Sequence, residues 1–305
     1  MVKKLKRFFN IPVCILVLIM QIQASGYSQG KQNFTTIIGD QISIERQFNL
    51  PELLHETSGL VYFRGLAWTF NDSGGEPELF AYSMTDSAIV QCITLWNGKN
   101  YDWEDITQDS TSIYAGDFGN NFGIRNNLCI YKIDKSHIPS HGNKIMKASK
   151  IHFTYPDYQP ILFTLKHSAW DCEAMIWFCD SLYLFTKNWI TQTSSIYQLS
   201  DKPGRYLARK IGEFDSKGLS TGADFSNGTL FLIGYHNWIP CLWKFENRHN
   251  MLIKTEEGKR YDLKALSGKQ TEGIAIINAN TLLISAEETS TPPQLFVVRI
   301  KPKVK

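Results

Sequence analysis

Three short stretches in the middle of the chain form one copy of a sequence repeat: Asp171-Cys-Glu-Ala-Met175, then Leu182-Tyr-Leu-Phe-Thr186, then Ser195-Ile-Tyr-Gln-Leu199. The second and third are rich in β-branched and aromatic residues and are bounded by turn residues, which is typical of strands. The same order occurs five times along the chain, at a spacing of about 45–50 residues. The five opening signatures are Thr57-Ser-Gly-Leu60, Asp102-Trp-Glu-Asp-Ile106, Asp171-Cys-Glu-Ala-Met175, Thr221-Gly-Ala-Asp-Phe225 and Gln270-Thr-Glu-Gly-Ile274.

A fourth, more polar strand is predicted in four of the five repeats, at residues 88–95, 148–154, 207–214 and 259–264. The fifth repeat lacks one, and residues 41–50 read as an extra strand ahead of the first repeat. We therefore predict an all-β fold, a single β-propeller of about five four-stranded blades closed by this N-terminal strand. Six blades are the alternative, if residues 160–170 hide a degenerate repeat. Residues 135–147, where the spacing is longer, are interpreted as an inserted loop.

The first 28 residues are interpreted as a secretory signal peptide, and residues 29–305 as the propeller domain. A basic start, Lys3-Lys-Leu-Lys-Arg7, precedes an apolar run at residues 11–22 and small residues at 24–26. That run is short for a bilayer, so we expect no membrane span after its removal. Loss of the four positive charges lowers the formal net charge from +3 to about −1, which argues against a nucleic-acid partner. We predict a secreted or periplasmic protein.

Acidic residues occupy equivalent positions in three of the five signatures, namely Glu104, Glu173 and Glu272. The first strand of a propeller blade lines the central channel, so three carboxylates from three blades are expected to meet there. Their mutual repulsion has to be relieved by a cation, a proton or water. Several carboxylate oxygens suit Ca²⁺, and no His or Cys cluster with zinc spacing is present. We predict calcium at these three residues.

A second set of polar residues lies in the turns after the second strands: Asp72, Asp117, Lys187, His236 and Glu287. These turns are expected at the mouth of the channel, where the side chains would surround a ligand. The alternative is that segments such as Asn71-Asp-Ser-Gly-Gly75 are simply tight turns, because Asn, Asp and Gly tolerate the required backbone angles.

Two of these turns share the sequence Asn-Trp-Ile and place Trp189 and Trp238 at equivalent positions of adjacent repeats. Their flat faces are candidates for stacking on a sugar or another ring. The alternative is that both side chains pack between blades, which would account for aromatic residues of this kind without any ligand.

The whole series of motifs resembles a family of secreted bacterial β-propeller proteins, many of which carry a C-terminal sorting domain for type IX secretion. The resemblance covers residues 50–290 and rests on the signatures together with Asn71-Asp-Ser-Gly-Gly75 and Gly116-Asp-Phe-Gly-Asn-Asn121. The chain ends directly after its last predicted strand, so we expect the periplasm or simple secretion. More remotely, the signatures are similar to those of SdiA-regulated, phytase-like esterase and gluconolactonase-type propellers. This similarity implies Ca²⁺ held by channel carboxylates and a hydrolytic site.

Two functions follow as hypotheses. The first is a binding module, expected to be monomeric, with a calcium-type ion in the channel and a glycan, peptide or small-molecule ligand on the top face. The second is a calcium-dependent hydrolase of the phosphoesterase or lactonase kind, in which Asp117 or His236 is the catalytic base. In both, Asp72, Lys187, Glu287 and the two tryptophans contact the ligand. The lack of an evident nucleophile and base pair favours the binding module.

Overall fold

A computed structural model describes residues 35–37, 41–159, 168–246 and 258–301. These residues form five separate sheets, each containing a four-stranded antiparallel blade. The five-bladed propeller predicted from the repeats is therefore confirmed. The predicted signal peptide lies outside the described residues, and so do residues 160–167 of the stretch considered for a sixth blade.

The strand bounds follow the repeat closely. From blade 1 to blade 5 the inner strands are Thr57–Phe63, Trp103–Gln108, Cys172–Phe178, Leu219–Ser226 and Thr271–Asn278. The second strands are Leu66–Asn71, Ser112–Asp117, Ser181–Thr186, Thr229–His236 and Thr281–Ala286. The third strands are Glu78–Ser83, Cys129–Asp134, Ser194–Ser200, Ile239–Glu246 and Gln294–Ile300. The outer strands are Ala88–Leu95, Ser149–Thr154, Arg209–Phe214, Lys259–Asp262 and Ile42–Asn49. Three-residue 3₁₀ helices occur at Glu52–Leu54, Lys135–His137 and Lys264–Leu266.

Each blade is buried on both faces, which explains why its middle strands are continuous apolar runs rather than alternating ones. In the second strand of blade 4, Leu230 and Leu232 pack against blade 3. Phe231 and Ile233 of the same strand pack against blade 5. Five such apolar clusters lie between the blades, one at each pair of adjacent blades. Burial of this apolar area is the main stabilising contribution to the ring.

The ring closes as the sequence predicts. Ile42–Asn49 pairs antiparallel with Gln294–Ile300 and completes blade 5. Gln294 Nε2 also donates a hydrogen bond of 3.0 Å to Asn49 Oδ1. The two ends of the propeller domain are thereby held in one sheet.

The interpretation of residues 135–147 as a loop is wrong in part. Lys144–Met146 is a strand that pairs parallel with Ile93–Leu95, at the outer edge of blade 1. The predicted outer strand at 207–214 also divides: Arg209–Phe214 belongs to blade 3, whereas Gly204–Leu207 pairs parallel with residues 151–154 of blade 2. Thr35–Ile37 is a third extra strand and pairs parallel with residues 259–261 of blade 4. Each of the three covers the outer edge of a blade, where unpaired backbone groups would otherwise remain.

A buried carboxylate joins the inner strands across the axis. Asp105 Oδ2 accepts backbone hydrogen bonds from Met175 N at 2.6 Å and from Ala223 N at 3.1 Å. Its Oδ1 accepts from Ile106 N at 2.8 Å. Blades 2, 3 and 4 therefore meet on one side chain, and the channel is narrow at this level. Among the described residues, none belongs to a helix long and apolar enough to cross a membrane.

Candidate functional site

The inner strands all begin on the face that also carries the turns after the second strands, and we call this the top face. In each of the five blades the pairing between inner and second strand shifts register at the signature. In three of them the extra residue is a glutamate: Glu104, Glu173 or Glu272. A β-bulge leaves its extra residue unpaired and changes the direction of its side chain. The bulge therefore turns the side chains of these three glutamates away from the direction that the regular alternation of a strand would give them.

Five carboxylates converge at the top of the channel and are called the acid cluster: Asp72, Asp102, Glu104, Asp171 and Glu173. One oxygen each of Glu104, Asp171 and Glu173 lies within 4.8 Å of the others, and we call these residues the buried triad. Asp72, Asp102 and Glu104 satisfy the same limit and form the mouth triad. The buried triad is 4, 0 and 2% exposed, respectively. Asp72 and Asp102 are half-buried.

The sequence predicts that Glu104, Glu173 and Glu272 meet at one point in the channel, and the structure brings two of the three together. Glu104 and Glu173 come together, whereas Glu272 is in neither triad. Glu272 is buried in the same channel and interacts electrostatically with Lys187 and Glu287. The sequence pattern did not single out Asp102 and Asp171, each of which stands two residues before a bulge glutamate. That constant spacing of two is the signal that could have found them.

Two basic side chains compensate part of this charge. Lys187 Nζ lies 2.7 Å from Glu173 Oε1, and both residues are buried. Arg125 Nη2 lies 2.6 Å from Asp117 Oδ1, and Arg125 Nη1 is 3.8 Å from Asp102 Oδ2. Arg125 comes from the loop after the second strand of blade 2, and no repeat position in the sequence marks it.

The remaining repulsion and the burial raise the acid pKa values. Burial, with repulsion from Asp102 and Glu272, raises the pKa of Asp72 to about 8. Burial raises the pKa of Glu173 to about 7, although Lys187 opposes the shift. Burial and neighbouring carboxylates raise the pKa of Glu104 and of Asp171 well above the ordinary range. Burial raises the pKa of Asp102 to about 6, of Glu272 to about 8 and of Glu287 to about 7.

Two oxygens of the cluster lack a hydrogen-bond donor in the part of the chain that the structure describes. They are Asp171 Oδ2 and Asp72 Oδ1, and both are enclosed. Asp171 uses its other oxygen to accept from Asn120 N at 2.8 Å. An oxygen facing other carboxylates gains a partner only when a proton or a cation lies between them. The donor set is all oxygen, which fits a hard divalent cation such as Ca²⁺ or Mg²⁺.

Asp117 and His236, the two alternatives for the catalytic base, lie in different surroundings. Asp117 lies at the edge of the acid cluster, where it is held by Arg125. His236 Nδ1 lies 3.1 Å from Gln192 Oε1, and its Nε2 lies 3.0 Å from Asn237 Nδ2. No described acid of the cluster is among these contacts of His236. Asp117 therefore borders the acid cluster through Arg125 and Asp102 N, whereas His236 makes these contacts elsewhere.

The two predicted stacking tryptophans have different surroundings. Trp189 is half-buried and meets Tyr235 edge-on, at 6.4 Å between ring centroids. The Nζ atom of Lys187 lies 5.2 Å from the centroid of the Trp189 ring. Trp238 stacks on Tyr235 at 5.5 Å with the ring planes only 5° apart, and it is 58% exposed. Packing between blades thus describes Trp189, whereas Trp238 keeps a large exposed surface.

Comparison with known proteins finds solved structures whose overall fold is similar, and no relative by sequence. No family of known proteins matches the sequence, and no curated protein matches it either. Among solved structures, the PQQ-bound aldose sugar dehydrogenase from Streptomyces coelicolor is 9% identical with a TM-score of 0.48, over 85% of this chain and 97% of that one. The exo-β-1,3-galactanase from Phanerochaete chrysosporium, solved with β-1,3-galactotriose, is 10% identical with a TM-score of 0.48, over 85% and 64%. At this identity and TM-score, neither carries an argument about this chain's function. The resemblance to secreted bacterial propellers stays a prediction.

Proposed function

We propose that this protein is an exported binding propeller whose acid cluster holds a divalent hard cation, with Ca²⁺ as the expected ion. The observation that carries the proposal is the enclosed Asp72 Oδ1 of the mouth triad, which has no hydrogen-bond partner in the part of the chain that the structure describes and lies with the carboxylates Asp102 and Glu104 of blade 2. Export rests on the N-terminal sequence pattern and is tested by determining the N-terminus of the mature protein.

Charge supports a cation. The acid cluster and Asp117 supply six carboxylates, and the structure sets two basic side chains, Lys187 and Arg125, against them. Ionising the whole group would leave four uncompensated negative charges in a partly enclosed space. At an effective dielectric constant of about 20, two such charges 4 Å apart repel by about 4 kcal/mol. A divalent cation removes much of this repulsion without requiring the acids to be protonated.

Glu104 is the residue we expect to be indispensable, because it belongs to both triads. The mouth triad is the favoured position for the ion. Asp72 and Asp102 are nearer to solvent than Asp171 and Glu173. The Arg125 guanidinium beside them is 3.8 Å from Asp102 and bonds mainly to Asp117. The buried triad already has Lys187 on Glu173. Glu104 lies in blade 2 and Asp72 follows the second strand of blade 1, so an ion bound there would join two blades.

A binding role fits this geometry better than hydrolysis. Asp117 is engaged by Arg125, and His236 has its contacts elsewhere. The hydrolase hypothesis needs a base close to a metal-bound water. Top-face ligands of the glycan, peptide or small-molecule class remain the expected partners.

Calcium and magnesium titration by calorimetry, at pH 8 and after chelation, tests the proposal. We expect binding of Ca²⁺ and a higher melting temperature in its presence. Glu104→Gln should abolish both effects, whereas the matched variant Glu272→Gln, from the equivalent bulge outside both triads, should retain them. If Glu272→Gln abolishes binding and Asp72→Asn does not, the ring of three glutamates is the site instead. If neither ion binds, the proposal is wrong. Turnover of a lactone or phosphoester that is lost in Glu104→Gln would establish the hydrolase.

A further inference from the structure

A cleft on the top face lies where the outer strand of blade 1 passes into the inner strand of blade 2. It shares no residue with the acid cluster. Its volume is ≈ 330 Å³, within the usual range of small-molecule sites. Trp96 and Tyr101 both line it, and we call it the Trp96 cleft. We propose that it binds a neutral saccharide of one or two rings.

Both aromatic rings of the cleft are open to solvent. Trp96 is 63% and Tyr101 49% exposed, and they are two of the four strongly exposed aromatic side chains in the part of the chain that the structure describes. An aromatic side chain gains free energy when it is covered, so a pair that lines one cleft offers a surface for a ligand. The apolar face of a pyranose ring packs on flat surfaces of this kind.

Basic groups beside the rings disfavour a cationic ligand. Lys147 Nζ lies 5.7 Å from the centroid of the Trp96 ring. Lys99 Nζ and the guanidinium carbon of Arg125 lie 5.5 Å and 5.7 Å from the centroid of the Tyr101 ring. A quaternary ammonium ligand would compete with these positive charges for the same two rings. Both rings keep their exposed surface with the basic groups in place.

The polar groups of the lining match hydroxyls. Glu76 and Lys99 both line the cleft and are exposed. Among the described residues, neither side chain has a hydrogen-bond or ion-pair partner. A carboxylate accepts hydrogen bonds from neighbouring hydroxyls, and an ammonium donates to others. The two opposite charges cancel, and an anionic ligand would meet Glu76. The lining therefore favours a polyhydroxyl ligand without net charge.

The loop that carries these side chains is held in place by hydrogen bonds. The Asn97 amide donates to the Ala148 carbonyl at 2.9 Å and accepts from Ala148 N at 3.0 Å. Asn100 is buried, and its Nδ2 donates to the Asn71 carbonyl at 2.8 Å. A site that is formed before the ligand arrives loses less conformational entropy on binding. The loop therefore presents Trp96 and the other lining side chains on a fixed backbone.

The test uses the full mature chain and a panel of neutral mono- and disaccharides containing glucose, galactose, mannose and N-acetylglucosamine. Binding is measured by saturation-transfer NMR and by calorimetry. We expect at least one saccharide to bind, and Trp96→Ala and Tyr101→Ala each to weaken binding by about tenfold or more. Trp96→Phe keeps a flat ring and should retain most of the affinity. Trp238→Ala is the matched control, because Trp238 is 58% exposed on blade 4 and does not line the cleft, and it should leave binding unchanged.

Several outcomes would overturn the proposal. These are no binding by any saccharide of the panel at millimolar concentration, an affinity that neither Trp96→Ala nor Tyr101→Ala changes, a loss in Trp238→Ala alone, or preferential binding of glucuronate or of choline. Circular dichroism of each variant checks that the fold is retained. The saccharide site goes beyond the proposed cation site and does not require it. Glu104→Gln therefore separates the two proposals, since it should abolish cation binding and leave saccharide binding intact.

Discussion

Replacing Asp105 by alanine should destabilise the propeller more than any other single change to a channel side chain below the acid cluster. The carboxylate is fully buried and accepts two backbone hydrogen bonds from other blades, from Met175 N and Ala223 N. Alanine leaves both N–H groups buried without an acceptor. The loss of a partner for a buried polar group costs about 1–3 kcal/mol each, so we expect about 2–6 kcal/mol in the free energy of unfolding. Alanine also removes the free-energy cost of burying the carboxylate, which places the expected loss in the lower half of that range.

Asp224→Ala is the internal standard for this prediction. Asp224 accepts one hydrogen bond from another blade, Ile276 N at 2.7 Å, and one from the adjacent Phe225 N. The same reasoning gives about 1–3 kcal/mol, half the loss expected for Asp105→Ala. Urea unfolding followed by tryptophan fluorescence measures both. With a slope of about 3 kcal/mol/M, the lower half of the range lowers the urea midpoint for Asp105→Ala by about 0.7–1.3 M. A loss for Asp105→Ala no larger than that for Asp224→Ala would refute the argument from inter-blade acceptors.

Three further predictions concern the acid cluster. A Cβ atom on Gly119 would lie within 2.1 Å of Glu104 Oε1 and 2.5 Å of Asp102 Oδ2. Gly119→Ala should therefore displace both carboxylates and weaken Ca²⁺ binding at least tenfold in calorimetry, whereas Gly75→Ala, whose Cβ meets its nearest neighbour at 3.9 Å, should not. Without a divalent cation, stability should fall as the pH rises from 5 to 9. The pKa values of several channel acids are raised to about 6–8, so the folded state binds more protons than the unfolded one in that window. Saturating Ca²⁺ should flatten this dependence in thermal unfolding, and a flat profile without the cation would contradict it. Lys187→Met removes the partner of a buried carboxylate and should cost about 3–5 kcal/mol at pH 8. The loss should shrink at pH 5.5, where that carboxylate is protonated, and an equal loss at both pH values would count against the ion pair.

The fold could be predicted from the sequence for a specific physical reason. Strands such as Thr229–His236 carry consecutive apolar residues, here from Leu230 to Ile233, because they are covered on both faces, and a run of this kind returns in each blade. The need to close the ring explains why an N-terminal strand completes the last blade. The short edge strand Lys144–Met146 escaped prediction because three residues carry too weak a periodicity, and its partner lies in another blade.

The candidate site could be predicted from the sequence only in part. Repeat alignment brings Glu104 and Glu173 to one channel, since equivalent positions of a ring face one axis. It does not reveal that Glu272 stays outside both triads, that Arg125 reaches Asp117 from a loop, or that Lys187 neutralises Glu173. Those pairings depend on how bulges and loops of different blades pack at distances of a few ångströms. Local sequence carries the periodicity of a strand, whereas contacts between side chains of separate blades exist only once the ring has closed.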